Sequence, residues 1–195
     1  MGKGRESGVG KLERAFWSCL ERRPYDQLTV SEVVREAGVN RTLFYYHFDS
    51  LASLAERAVT RAVPLEVAHG ILLQDLNVAE IVMRIAKAVD TEERIRRLRL
   101  VAGPHGTAAL TDIVKGAIRG EWLRVYGLDE DDVDDATHVV MCFVLGGVMS
   151  MWADPRFEDV RALQKALADS GMASAVVSVL RDRLSGLAAN RTRSL

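Results

Sequence analysis

Three aromatic side chains that can donate hydrogen bonds follow one another within a single helical turn. Tyr45, Tyr46 and His47 supply two phenolic hydroxyls and an imidazole N–H, in a segment with almost no charge. Such donors suit phosphate oxygens, which fix the register of a protein on a DNA duplex. The residues just before them suit base edges, through a bidentate contact to guanine or an apolar contact to a thymine methyl group: Arg41, Thr42 and Leu43. This segment indicates nucleic-acid binding.

The other reactive side chains form no catalytic or metal-binding pattern that we recognise. The four histidines are scattered, and we find none at metal-ligand spacing from a cysteine or another histidine. The acidic run 129–135 has Val133 and Asp134 where a calcium loop needs an acid and a glycine. We therefore predict that the chain is not an enzyme and that it uses no metal and no cofactor.

Helical periodicity surrounds the aromatic segment. Apolar residues at helical spacing over 9–20 predict a first helix. Thr29 can cap a short second helix, and Gly38 can close it because glycine accepts a left-handed backbone. A third helix from about Arg41 to Phe48 follows, and a fourth runs over 51–63. Two short helices joined by a glycine turn, after a longer helix, are typical of a helix-turn-helix unit.

The rest of the chain also shows helical patterns, and no alternating strand pattern competes with them. We predict six further helices, which are a capped helix from Asn77, a basic helix over 91–102, a long amphipathic helix over 110–126, an apolar helix from the acidic run to Trp152, and two helices around 157–168 and 172–187. We expect the tail 190–193 to fray. The predicted fold class is all-α.

The segment 28–48 closely resembles the DNA-binding signature of the TetR family of transcriptional regulators. Its most specific part is the turn Ala37-Gly38-Val39 followed by the run 44–48. The detailed resemblance covers residues 9–60. The remainder is similar to the family in length, helical character and the run from Gly146 to Trp152.

The resemblance implies a domain organisation and a set of DNA contacts. Residues 1–60 would form a three-helix helix-turn-helix domain, and residues 61–195 a larger helical domain for effector binding and dimerisation. Tyr45, Tyr46 and His47 lie where the family contacts phosphates. The sequence-reading positions are those of Arg41, Thr42 and Leu43, and Thr29 could hold another phosphate at the start of the second helix. Where the family usually has a phosphate-binding lysine, this chain has Leu51, a change that should lower the salt dependence of binding by about one phosphate contact.

The resemblance further implies a homodimer that responds to a small molecule. The helix from Val139 to Trp152 is apolar almost all round and therefore needs burial on every side. With the last helix, it suits a four-helix interface between two subunits. Mixed Met, Trp and Cys side chains suit an apolar or aromatic effector, and the predicted pocket residues are His105, Trp122, Tyr126, His138, Cys142, Phe143 and Met149.

Composition sets limits on these interpretations. The 195 residues carry a net charge of −1, and residues 1–55 hold eight basic and seven acidic side chains, so a DNA partner is indicated by pattern and not by bulk charge. The two cysteines suggest a reducing compartment. The apolar run 139–153 is shorter than the ~20 residues of a membrane span, so we predict a cytoplasmic protein without a membrane partner.

The leading hypothesis is a ligand-responsive repressor that binds a palindromic operator in double-stranded DNA. The alternative is an all-helical small-molecule binding protein with a weakened DNA-binding head, for which Leu51 and the nearly neutral head are the only support. A helical enzyme using His105, His138 and Glu121 is a third hypothesis, but nothing in their spacing brings these residues together.

Overall fold

The computed structural model describes residues 7–65, 68–69, 91–157 and 159–194, and within them it contains helices and no strand. The helices are α1 (Gly8–Arg22), α2 (Val30–Ala37), α3 (Arg41–His47), α4 (Leu51–Ala62), α5 (Thr91–Ala102), α6 (Ala108–Tyr126), α7 (Asp135–Ala153), α8 (Val160–Ser170) and α9 (Met172–Ser194). The prediction of an all-α fold is confirmed. The predicted helix from Asn77 lies outside the described residues.

The chain forms two compact units. The first contains Met1–Ala62 and Arg96–Val114, and the second contains Val63–Ile95 and Lys115–Leu195. The first unit therefore includes a segment from the middle of the chain as well as the N-terminal helices.

The core of the first unit is built on the apolar face of α1. Leu12, Phe16 and Leu20 recur every four residues and are fully buried, as the helical spacing predicts. Phe44 of α3 and Leu54 of α4 are also fully buried. The apolar side chains of α1, α3 and α4 thus lie in the core. The polar faces of these helices are left available for contacts with other molecules.

The middle segment joins this unit through specific polar contacts. The backbone carbonyl of His105 accepts a hydrogen bond from the amide of Tyr25 at 2.9 Å, and the imidazole Nδ1 lies 2.7 Å from the carbonyl oxygen of Leu20. The guanidinium of Arg97 lies 5.3 Å from the ring centroid of Trp17, a cation–π arrangement. His105 thus holds the end of α1 in place.

In the second unit, α7 buries one face and exposes the other. Met141, Leu145 and Met149, spaced four residues apart, are buried, whereas Val139 and Phe143 are 65% and 69% exposed. The burial on every side was expected from an interface between two subunits, and it stays a prediction, because the described helices of the single chain cover only one face of α7. By length and apolar composition, α7 also meets the criteria for a membrane span. This is weak support for a span, because core helices of soluble proteins meet the same criteria.

The C-terminal helix continues further than the sequence suggests. α9 runs to Ser194, so the expected fraying over 190–193 is wrong. The guanidinium of Arg191 pairs with Asp129 at 2.8 Å and with Asp132, and it donates to the carbonyl of Gly127 at 3.1 Å. These long-range contacts hold the last turns of the helix against the loop before α7.

Candidate nucleic-acid interface

The N-terminus of α2 is closed by a reciprocal capping box. The Thr29 hydroxyl accepts a hydrogen bond from the amide of Glu32 at 3.3 Å, and the Glu32 carboxylate accepts from both the amide and the hydroxyl of Thr29 at 3.0 Å. The hydrogen bond from Thr29 lowers the pKa of Glu32 below its ordinary value. Both donors of Thr29 are therefore engaged within the protein, and a contact from Thr29 to phosphate, which stays a prediction, requires the Glu32 carboxylate to move.

A glycine turn links α2 to α3. Gly38 has φ 62° and ψ 36°, and its amide bonds to the last carbonyls of α2. This left-handed conformation is costly for residues with a Cβ atom. Asn40 then caps α3 by accepting a hydrogen bond from the amide of Leu43 at 2.8 Å. Both ends of the turn are thus specified by local residue chemistry.

Helix α3 is anchored by two phenylalanines and exposes its polar aromatic residues. Phe44 and the following Phe48 are buried, with ring centroids 5.9 Å apart. Tyr45 and Tyr46 are 56% and 81% exposed. His47 is also exposed, and its ring meets that of Tyr46 edge to face at 4.8 Å. The donors proposed for phosphate contacts therefore face outward from a fixed helix.

A contact between the two helices orients the arginine of the interface. The guanidinium of Arg41, at the start of α3, donates to the hydroxyl of Ser31 on α2. Ser31 thereby restricts the rotamers of a long side chain that is otherwise exposed. No local sequence pattern connects positions ten residues apart, so this role of Ser31 could not be predicted from the sequence.

Leu43 is partly covered by the start of α1. Its Cδ2 atom lies 3.0 Å from the position that a Cβ atom would occupy on Gly8, and Leu43 is half-buried. Packing against α1 gives this side chain a structural role in addition to any contact with a thymine methyl group. The absence of a side chain at Gly8 allows this close approach, and the sequence offered no signal for it.

The turn and α3 together line a shallow groove of about 610 Å³. Its lining residues are Gly38, Val39, Asn40, Thr42, Leu43 and Tyr46. Thr42 is exposed beside the half-buried Leu43. Three of the seven residues that the sequence proposed for DNA contacts therefore line this groove, namely Thr42, Leu43 and Tyr46.

Polar contacts fix the neighbouring helices. Glu13 of α1 accepts from Arg57 and Arg61 of α4 at 2.8 and 2.9 Å. Reciprocal hydrogen bonds of 3.1 Å between Ser50 and Ser53 cap the start of α4. Leu51 follows this cap and is half-buried, so it supplies apolar surface where a lysine would supply a charge.

The residues proposed for the effector pocket are in different environments. Trp122 and Met149 are buried, Tyr126 is half-buried, and His138, Cys142 and Phe143 are exposed on α7. His105 belongs to the first unit. An apolar groove of about 290 Å³ between α7 and α9 includes Phe143. The described residues thus do not gather these seven side chains into one cavity, and the pocket stays a prediction.

Comparison with known proteins agrees with this geometry. Residues 15–58 match the family model TetR_N, described as bacterial regulatory proteins of the tetR family. These residues include the capping box, the glycine turn and all of α3. No curated protein sequence matches the chain significantly.

Two solved structures are similar over most of the chain. One is a tetR-family transcriptional regulator from Streptomyces coelicolor, with 20% identity, a TM-score of 0.50, and coverage of 96% of this chain and 89% of that one. The other is the TetR family repressor AlkX from Dietzia sp. strain DQ12-45-1b, implicated in biodegradation of n-alkanes, with 16% identity, a TM-score of 0.46, and coverage of 93% and 99%.

The Streptomyces structure shows that the resemblance in fold extends beyond the matched N-terminal segment. The predicted resemblance is therefore confirmed. Residues 15–58 therefore carry the helix-turn-helix segment of the tetR family of bacterial regulatory proteins, and the chain as a whole shares the fold of the Streptomyces regulator.

Proposed function

We propose that this chain is a homodimeric transcriptional repressor that binds a palindromic operator through α3 and is released by a small apolar or aromatic effector. The observation that carries the proposal is the outward-facing polar aromatic surface of α3. Tyr46 is 81% exposed on a helix anchored by Phe44 and Phe48. Exposed tyrosines contribute little to folding, but their hydroxyls are available to phosphates on a duplex.

The exposed apolar surface of α7 and α9 supports a dimer. The groove between these helices is lined only by apolar residues, namely Val139, Val140, Phe143, Val144, Ala175, Val176 and Val179. Contiguous exposed apolar surface of this kind marks an interaction site. A second copy is the proposed occupant, because a helix-turn-helix protein reading a palindrome presents two recognition helices about 34–36 Å apart.

Unsatisfied polar atoms in the second unit support a ligand. Among the described residues, Trp122 Nε1 and Thr137 Oγ1 are buried without a hydrogen-bond partner. Buried polar groups are normally paired, so a bound molecule with an acceptor for the indole N–H would complete the site. An apolar or aromatic effector with one such acceptor fits both this requirement and the surrounding side chains.

A cytoplasmic location is part of the proposal. Cys19 and Cys142 are both free thiols, which suits a reducing compartment. DNA-binding activity also requires access to the chromosome, and a second copy covering α7 would remove the apolar surface that otherwise suits lipid.

DNA binding is tested by selecting sites from random duplex DNA with the full-length protein. The selected site is then titrated with wild type, Tyr46→Ala and Tyr46→Phe at two salt concentrations. Tyr46→Phe removes one hydroxyl and should weaken binding about 2- to 10-fold, and Tyr46→Ala should weaken it further. Tyr25→Phe removes the same group from a half-buried position before α2, so it is the matched control and should bind like wild type.

The selection also tests the alternative function. Enrichment of a palindrome supports the repressor. If a correctly folded protein enriches no site, the small-molecule binding protein with a weakened head becomes the better description, and Leu51 would be the first residue to examine.

The dimer is tested by sedimentation of wild type and Phe143→Asp. A charge in the apolar groove should convert the dimer to a monomer because an unpaired carboxylate is costly to bury. Ala162→Asp places the same charge on an exposed position of α8 and should leave the dimer intact. A monomeric wild type would contradict the proposal, and partition of wild type into lipid vesicles would indicate that lipid covers α7.

Effector binding is tested by a thermal-shift screen of small aromatic carbonyl compounds. A ligand that binds the native state raises the midpoint of unfolding. Trp122→Phe keeps most of the ring volume but removes the N–H, so it should reduce the shift. A shift that is identical in Trp122→Phe would remove Trp122 from the proposed site.

A further inference from the structure

Helix α5 is strongly basic, and its arginines differ in the partners that the protein supplies. Arg96 forms an ion pair with Glu21 near the end of α1, and the guanidinium of Arg97 lies over the ring of Trp17. Arg99 differs from both, because its Nε and Nη2 atoms are buried and have no hydrogen-bond partner among the described residues. The first unit, which contains these residues, thus holds a guanidinium with unsatisfied donors.

Unsatisfied buried donors on a charged group are unfavourable. Arginine stays protonated over the pH range in which proteins fold, so Arg99 cannot lose its proton as a buried lysine can. Buried charges are normally paired, and no described carboxylate reaches Nε or Nη2 of Arg99. The described part of the chain therefore leaves this charge for a group from outside.

The two unsatisfied atoms lie on the same edge of the guanidinium. The N–H bonds of Nε and Nη2 run parallel along this edge and form a fork that matches the two oxygens of a carboxylate. One carboxylate neutralises the single positive charge of Arg99, whereas a dianion would bring in a second negative charge without a partner. The shape and the charge of the unsatisfied edge thus both favour a monocarboxylate.

The neighbouring side chains of α5 are apolar where they are buried. Leu98 and Val101 have exposed fractions of 0% and 1%, so an apolar ligand body suits this part of the helix. Arg99 as a residue is only half-buried, although solvent does not reach the fork itself. Entry of a small acid therefore requires a local opening of the first unit, a motion that native proteins undergo without global unfolding.

We propose that Arg99 is a binding residue for a small organic acid, whose single carboxylate accepts two parallel hydrogen bonds from Nε and Nη2. The proposal does not rest on the repressor function or on the effector contact proposed for Trp122. It is tested without DNA, so its failure and the failure of the proposed function are distinguishable.

Binding is tested by thermal unfolding of the full-length protein in sodium acetate, hexanoate and benzoate, with sodium chloride at the same ionic strength as the reference. We expect at least one carboxylate to raise the midpoint of unfolding above that in chloride, because it binds the native state. The uncharged amide of the same acid should give a smaller shift. If none of the three carboxylates raises the midpoint, or if the amide is equally effective, the proposal is overturned.

Isothermal titration of variants with the effective carboxylate identifies the residue that binds it. Arg99→Met removes the charge and keeps an unbranched side chain, and should weaken binding about 10- to 100-fold, the effect of losing hydrogen bonds to a charged group. Arg99→Lys keeps the charge without the fork and should have an intermediate affinity. Arg96→Met, on the same helix, is the matched control and should bind like wild type.

The stability of Arg99→Met without ligand is a second readout. Replacing an unsatisfied buried charge with an apolar side chain should leave the protein at least as stable as wild type. A clear loss of stability, or a failure to fold, would show that the guanidinium has a partner within the protein and would overturn the proposal. An affinity for the carboxylate equal to that of wild type, in Arg99→Met or in Arg99→Lys, would also overturn it.

Discussion

Substitution of Gly38 by alanine tests the glycine turn that links α2 to α3. Nothing lies within 4 Å of a Cβ atom placed on Gly38, so alanine meets no steric clash. The cost is therefore that of the backbone conformation, because φ is 62°. A left-handed conformation costs a residue with a Cβ atom roughly 1–2 kcal/mol. The lower entropy of the unfolded alanine chain offsets about 0.4–1 kcal/mol.

The expected net loss in the free energy of unfolding is about 1 kcal/mol, equivalent to a decrease of about 2–4 °C in the melting temperature for a chain of this size. Two further variants bracket this value. Gly38→Asn should lose less, because asparagine tolerates the left-handed region better. Gly106→Ala should lose far more, because its Cβ atom would lie 1.7 Å from the carbonyl oxygen of Val101.

Urea unfolding followed by circular dichroism measures all three variants, and DNA titration then shows whether the turn also affects binding. The reasoning is supported if the loss in the free energy of unfolding increases from Gly38→Asn to Gly38→Ala to Gly106→Ala. If Gly38→Ala is as stable as wild type, or as strongly destabilised as Gly106→Ala, the loss in the free energy of unfolding is not due to backbone strain alone.

Three further predictions concern polar contacts. Ser31→Ala should weaken operator binding about 2- to 5-fold without a change in stability, because the side chain of Arg41 must then be ordered on binding; titration and urea unfolding check both parts. Leu51→Lys should increase the slope of log K against log salt by about one contact, measured by titration across salt concentrations, and an unchanged slope would argue against a phosphate at this position. Glu121→Gln should lower the free energy of unfolding by about 1 kcal/mol at pH 7. The hydrogen bond from Arg124 lowers the pKa of Glu121. The stabilisation by Glu121 is therefore present above the ordinary carboxyl pKa and is lost as the pH falls through the lowered pKa. The urea unfolding curves of Glu121→Gln and wild type should consequently converge in acid.

The local sequence was sufficient to predict the framework of the first unit. The capping role of Thr29 and the closing role of Gly38 are both observed. These predictions succeeded because caps and turns depend on residues within a few positions of each other. The apolar spacing of α1 likewise predicted its buried face, because apolar residues at helical spacing indicate which face of a helix packs into the core.

The extent of burial in the second unit could not be predicted in the same way. The composition of α7 does not say which of its faces the single chain covers, and Val139 and Phe143 are exposed there. The end of α9 was misjudged, because Arg191 is held by Asp129 and Asp132 from about sixty positions earlier. Such pairs leave no periodic signal in the sequence.

The amino-acid sequence by itself thus determined the all-α fold, the helix-turn-helix and the polar aromatic side chains that α3 exposes, since each depends on short-range spacing. Only the tertiary structure decided that Ser31 orients Arg41, that Leu43 rests on Gly8, and that Glu32 occupies the donors of Thr29. The physical reason is that rotamers and hydrogen-bond partners are selected by whichever side chains the folded backbone brings within reach.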